Sequence, residues 1–375
     1  MAKISSTTRG FCSPGRYFQG PGEFNNVFKY TVKYGKRVFA VIDNFFYEDF
    51  TKKLNNMCAE SGSTVQTMLF PYEVTKENLA SATRDAKEFE AEVVIAIGGG
   101  KTLDLSKGVA MNLDLPYIII PTAASTDAPT SSLSVIYNDD GVHVSEDFYD
   151  RSPNMVLVDS QIIADAPVRF LVSGMGDALA TYFEARANEA EDAANFVNVN
   201  DGGYRRTLAS MAIARTCYDT LIEKGVHAKL AAEAGVVTPA LEDIIEANIL
   251  LSGLGFENTG IAGGHAVNDG VTALPAGSKT LHGEKVAFGT IAQLVIENAP
   301  KDEIEDVILF CLSVGLPVCL EDLFVENTDE NIKVIADSSM HSCWDHEPIH
   351  VTAEMVFNAV RVADSLGRMY KDACS

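Results

Sequence analysis

Short unbroken apolar runs alternate with longer segments of three-four apolar spacing along the first half of the chain. Arg37–Ile42 reads as a buried strand, and 45–60 as a helix turning Leu54, Met57 and Cys58 inward. Residues 64–70 alternate and are β-branched, as a strand would be. The pattern continues with a helix over 75–89 and a strand over 92–97 that stops at three glycines. A helix over 102–111 and a strand over 117–120, closed by Pro121, follow. Such alternation predicts a parallel sheet covered by helices on both faces. Segments 133–137 and 142–144, joined across Asn138-Asp139-Asp140-Gly141, read as a hairpin, and 155–158 as one more strand.

Beyond Asp159 the alternation stops. Segments 162–190, 204–224, 228–235, 239–254, 285–299, 302–314 and 352–370 all carry helical periodicity. The expected architecture is an α/β amino-terminal domain with a parallel nucleotide-binding sheet, residues 1–159, followed by an all-α carboxy-terminal domain, residues 160–375. Residues 192–203 are expected to form an exposed loop.

Charge narrows the function. The 375 residues hold 29 Lys and Arg against 52 Asp and Glu, a net charge of −23, and no basic run interrupts the acid. A duplex nucleic acid or an anionic membrane surface is therefore disfavoured as a partner. Residues 160–375 carry most of the excess, 14 basic against 32 acidic, read as solvated helix faces. No stretch reaches the roughly 18 apolar residues of a membrane span. The seven cysteines are scattered without a CxxC pair, which fits reduced thiols. Met1–Gly10 is polar and lacks the apolar core of a signal peptide, so a cytoplasmic location is expected.

Four features could carry chemistry. Gly98-Gly99-Gly100-Lys101-Thr102 joins a strand to a helix, where bare backbone and free N–H groups suit a phosphate. It is neither a Walker A loop, which would need glycine in place of Ile95, nor the GxGxxG fingerprint, which would need it in place of Leu103. A tight turn without ligand is the alternative. Asp43 ends the first clear strand, where an acid can take the ribose hydroxyls of NAD; ordinary turn chemistry competes with that reading. The hydroxyl-rich loop from Pro121 to Ser131 follows a third strand end. The helical half offers Asp177 among small residues at an expected helix start, His265 after two glycines, and His282 at the opening of another helix. A carboxylate and two imidazoles can bind Zn²⁺ and leave a fourth position for substrate, while helix capping is the simpler role for Asp177. His346-Glu347-Pro348-Ile349-His350 fits the HExxH spelling of zinc proteases, but Pro348 forbids the continuous helix that motif needs. It is read as a loop, with His341 and Cys343 close enough in sequence for an adventitious metal contact.

Taken together, these segments resemble the glycerol dehydrogenases of the iron-containing (group III) alcohol dehydrogenase superfamily, whose fold is shared with dehydroquinate synthase. The resemblance runs from Ser13-Pro14-Gly15-Arg16-Tyr17 to Val362-Ala363-Asp364. It is carried by the segments 97–104, 122–129, 176–185 and 282–289. It implies NAD held by Asp43, Gly100, Lys101, Thr122, Ser125, Ser131, Leu133 and Tyr137, beside the turn glycines Gly98 and Gly99. It implies Zn²⁺ on Asp177, His265 and His282, Asp127 next to the hydroxyls of a small polyol such as glycerol, and a homo-oligomer, octameric in the family. Iron-using relatives carry a histidine four residues after the aspartate; Thr181 stands there instead, which points to a three-ligand zinc site. The chain departs at Asn268-Asp269, where the glycerol enzymes usually read His-Asn, and over 341–350. Those departures keep other substrates open: another polyol, glycerol 1-phosphate, a 2-hydroxy acid, or lyase chemistry like that of dehydroquinate synthase.

Overall fold

The computed structural model describes residues 7–374; residues 1–6, where the polar amino-terminal stretch begins, lie outside the described residues. The strands are β1 (Tyr17–Gly20), β2 (Arg37–Ile42), β3 (Thr64–Leu69), β4 (Val93–Gly98), β5 (Tyr117–Pro121), β6 (Leu133–Tyr137), β7 (His143–Phe148) and β8 (Met155–Asp159). β6 and β7 make the expected antiparallel hairpin. The other six form one parallel sheet in the order β1-β8-β5-β4-β2-β3.

Alternation along the strands sorts the core into two layers. Val38, Ala40, Ile42, Ile95 and Ile97 pack with Phe24, Val27, Phe50 and Leu54 on one face. Phe39, Val41, Val94 and Ala96 face the other way, into a core continuous with Met175, Ala178, Leu179 and Phe183 of the helical half. The sheet and the helices that follow Asp159 are therefore joined through shared apolar packing.

The helical half differs from expectation in several places. Pro167 separates a short helix, Ser160–Ala164, from the long helix Val168–Glu191. Residues 208–233 form one helix without a break at Gly225, because that glycine packs against the Phe310 ring: a Cβ there would lie 2.7 Å from it. The segment after Pro239 runs to Thr259 through a wide turn at Ala247–Leu251. Gly263–Thr272 and Asp329–Ser338 are helices that glycine and polar content concealed. The loop after Asp192 is exposed only at 200–202. Ala194, Phe196 and Val197 are buried, and Asn195 Nδ2 donates to Gly10 O and Asn258 O. No helix among the described residues is long and apolar enough to cross a membrane.

Candidate active site

The chain lays down β2 and β3 toward one edge, then returns past β2 to build β4 and continues the other way. Open parallel sheets leave a ligand crevice at such a reversal, outside the carboxyl ends of the two strands. Asp43 and Gly98 stand at those ends. Asp43 N–H donates to Ile97 O at 2.9 Å, and Asp43 Oδ1 accepts from Phe45 N–H at 3.0 Å. At Gly98 a Cβ would lie 2.8 Å from Thr102 Oγ1 and 2.9 Å from Asp43 Cβ, so the bare backbone lets the strand ends close together. At Gly99 a Cβ would meet nothing within 4 Å, and at Gly100 nothing nearer than 3.8 Å. No side chain caps the Gly100–Leu113 helix that starts here. Open space over bare backbone at a helix amino end is what a phosphate requires.

The other residues expected on the cofactor side lie close by. Lys101 Nζ bonds Glu73 Oε2 at 2.6 Å and sits 4.3 Å from the centre of the Tyr137 ring. Thr122 N–H donates to Gly98 O at 3.1 Å, and Ser125 O accepts from Ser173 Oγ at 3.3 Å. Ser131 Oγ and Leu133 O face inward: with Ala128 O and Asp104 Oδ1 they surround the fully buried Lys107 Nζ, all within 3.1 Å. Lys107 thus clamps the hydroxyl-rich loop to the helix of the glycine turn.

Across from this loop, Asp177 stands midway along Val168–Glu191, not at a helix start. Its small neighbours serve close packing and not chain reversal. A Cβ on Gly174 would lie 1.9 Å from Ala124 O, and one on Gly283 would lie 1.8 Å from Ser173 O. These glycines let the Asp177 helix press against both the loop and the start of the His282–Ile296 helix. Asn248, in the wide turn, stitches the same junction by donating to Ala124 O and Leu171 O, each at 3.0 Å.

The structure brings Asp177, His265 and His282 together, their donor atoms within 4.8 Å of one another. Asp177 Oδ1 lies 3.1 Å from His282 Nε2 and 3.5 Å from His265 Nε2, yet it is sealed from solvent and makes no aligned hydrogen bond with either ring. Ligand atoms about 2 Å from a tetrahedral ion stand roughly 3.4 Å apart, so the three fit a common metal ion better than they fit each other. Burial works against the Asp177 charge, but His282 and His265 hold its carboxyl well below the usual range. Burial also opposes a charged His265, and Glu184 and Asp177 overcome it and raise that imidazole. The pocket is one that stabilises positive charge.

Asp127 N–H donates to Asp177 Oδ2 at 3.3 Å, and Asp127 Oδ2 accepts from Ser252 Oγ at 2.7 Å. Burial and the neighbouring Asp177 push the Asp127 carboxyl well above the usual range. Thr181 Oγ1, one turn beyond Asp177, is 3.0 Å from Ser252 Oγ and so completes a chain of polar groups ending on Asp127. Behind His265 lies Glu184, fully buried, with Oε2 at 2.8 Å from His265 Nδ1. Asp269, one turn after His265, keeps 53% of its side chain exposed and pairs with His341 Nε2 at 3.1 Å.

The HExxH segment forms no helix beyond His346. His346 Nδ1 contacts Ile261 O at 2.5 Å, Glu347 Oε1 accepts from Gly263 N–H at 3.1 Å, and His350 is exposed. His341 Nε2 is paired with Asp269 Oδ2, and Cys343 N–H donates to His341 Nδ1 at 3.4 Å. Glu184, Ser252, Lys107 and Asn248 went unassigned from sequence. Only Glu184 and Lys107 had a signal, each lying inside or beside a segment that carries the resemblance.

The profile of the iron-containing alcohol dehydrogenases matches residues 14–160. The glycerol dehydrogenase of Thermotoga maritima is 44% identical over 374 residues, covering 96% of this chain and 98% of that one. Among solved structures, the glycerol dehydrogenase of Schizosaccharomyces pombe superposes with a TM-score of 0.92 at 35% identity, over 98% of this chain and 93% of that one. A probable glycerol dehydrogenase of Sinorhizobium meliloti 1021 gives 0.90 at 39% identity, over 96% and 99%. With its parallel sheet, its helical half and its full-length relatives, the chain belongs to the iron-containing alcohol dehydrogenase family, alongside the glycerol dehydrogenases.

Proposed function

We propose that this protein oxidises glycerol to dihydroxyacetone, reversibly, with NAD as its cofactor and Zn²⁺ on Asp177, His265 and His282. The observation that carries the reading is the convergence of one carboxylate and two imidazoles beside Asp127, in a chain whose full-length relatives are glycerol dehydrogenases. This donor set suits zinc and leaves a position for substrate. Thr181, bonded to Ser252, offers no fourth ligand, which favours zinc over iron.

Bound there, the metal supplies Lewis acidity to the substrate oxygen and NAD supplies the hydride acceptor. The chain's own residues position these partners. Asp127, steadied by Ser252, hydrogen-bonds a substrate hydroxyl. Asp43 takes the ribose hydroxyls and repels the 2′-phosphate of NADP. Gly98, Gly99 and Gly100 give their backbone to the pyrophosphate. Lys101, Thr122, Ser125 and Tyr137 complete the cofactor side, while Ser131 and Leu133 contribute through the Lys107 clamp. On this reading residues 1–159 hold the cofactor and 160–375 the metal and substrate, in a cytoplasmic homo-oligomer. A carboxylate or phosphate substrate wants a cationic pocket, and the 14 Lys and Arg among residues 160–375 are outnumbered by 32 Asp and Glu, which favours a neutral polyol.

The test is NADH formation by the zinc-loaded protein from glycerol, 1,2-propanediol, glycerol 1-phosphate and a 2-hydroxy acid. Glycerol is expected to be turned over, with the anionic compounds far behind. Turnover of an anionic compound in its place moves the substrate; no NADH from any of the four overturns the dehydrogenase reading in favour of a lyase.

A further inference from the structure

We propose that Glu184 is the positioning residue of the metal site: it fixes both the place and the tautomer of His265, and so sets the affinity for the ion. The inference rests on the zinc reading above.

Glu184 lies seven residues after Asp177 on the same helix, two turns along, so both carboxylates project from one face. Asp177 reaches the site directly and Glu184 stands behind His265. Glu184 Oε1 accepts from Ala262 N–H at 2.9 Å and from His265 N–H at 3.0 Å. Its Oε2 lies 2.8 Å from His265 Nδ1. One fully buried side chain therefore holds the backbone and the ring of the same histidine. The remaining N–H groups of that helix start are taken as well, Gly263 by Glu347 Oε1 at 3.1 Å and Gly264 by Gln293 Oε1 at 2.8 Å. His265 is thus held from several directions by the protein itself.

A carboxylate only accepts hydrogen bonds. Its contact with Nδ1 therefore places the ring proton there and leaves the Nε2 lone pair facing Asp177 and His282, where an ion would sit. Glutamine has the same shape and the opposite effect. Its amide oxygen would keep the two backbone N–H groups, and its NH₂ would then meet Nδ1. That contact needs a lone pair on Nδ1, so the proton moves to Nε2 and masks the ligand atom.

The test compares wild type with Glu184→Gln, both stripped of metal and then titrated with Zn²⁺ against a competing chelator. NAD affinity, thermal unfolding and the ring-nitrogen chemical shifts of His265 are read in parallel. The zinc Kd of Glu184→Gln is expected to rise about ten- to hundredfold, the loss typical of removing an outer-shell partner of a metal-bound histidine. NAD affinity stays unchanged, and the metal-free His265, read at a pH high enough for its ring to be neutral, goes from the Nδ1–H to the Nε2–H tautomer. A variant that binds zinc within about threefold of wild type contradicts the proposal. If Glu184→Gln fails to fold, the metal-free wild type still decides, because an Nε2–H tautomer of its neutral ring, read at the same high pH, overturns the assignment. A wild type that takes up no zinc overturns the metal reading instead, so the two failures are distinguishable.

Discussion

The Gly100–Leu113 and Gly263–Thr272 helices both begin on consecutive glycines, and the protein treats their amino ends in opposite ways. At the first, no side chain caps the turn and a Cβ on Gly99 would meet open space. At the second, Glu184, Glu347 and Gln293 accept every N–H from Ala262 to His265. A Cβ on Gly263 would strike the Trp344 ring at 2.7 Å and the Gln293 side chain at 2.9 Å. Glycine in the first place leaves room for a ligand that comes and goes. Glycine in the second lets the protein close around its own histidine. On the proposed reading the same local composition serves cofactor binding in one and metal-site rigidity in the other, and only the surroundings tell them apart.

Substitutions should separate the two ends cleanly. Asp177→Asn attacks the metal side and is expected to lower kcat at least about a thousandfold, the several kcal/mol that Lewis-acid catalysis supplies. NAD affinity, measured by fluorescence titration, stays near wild type; a parallel loss of NAD binding would break the separation. Gly263→Ala forces a methyl into the closed end and should cost about 1–3 kcal/mol of stability in denaturant unfolding. Gly99→Ala does the reverse. The residue has φ −88°, which alanine tolerates, and its methyl points into open space. Unfolding should be unchanged while NAD binds about tenfold more weakly, roughly 1.4 kcal/mol lost at the phosphate turn. If Gly99→Ala leaves NAD affinity intact, the open turn is only a turn.

The smallest effect concerns pH. Burial, with Glu297 nearby, pushes the Glu347 carboxyl up to about 8. The folded protein therefore holds a proton that the unfolded chain releases in the ordinary carboxylate range. Stability falls as pH rises from that range through about 8. Glu347→Gln keeps the acceptor for Gly263 N–H and removes the titration. Its Tm should exceed that of wild type above that range and match it in mild acid; an equal difference at both pH values contradicts the assignment.

The legible parts of this protein were those governed by periodicity. The buried strands β2, β4, β5 and β8 are unbroken apolar runs, and each stands where the pattern put it. Short or polar elements were missed, β1 and the Gly263–Thr272 helix among them, because contacts distant in sequence stabilise them. Glycine misled in both directions. Gly225 suggested a break where Phe310 packing allows a continuous helix, and Gly174 and Gly176 suggested a start where the helix presses on its neighbours. Asp177, His265 and His282 come from three helices, so no local spacing announces them; the family resemblance did. Glu184 and Lys107 went unassigned, since sequence alone does not reveal that three N–H groups await Glu184 and four oxygens await Lys107.

The most direct test of the central claim is the metal dependence of glycerol oxidation, with zinc content measured on the same samples. The account predicts that chelation abolishes NADH formation from glycerol and that Zn²⁺ restores it in wild type, at one ion per chain. It predicts no restoration in His265→Ala, which should still bind NAD. Full activity in the chelated protein, or in His265→Ala, would contradict it.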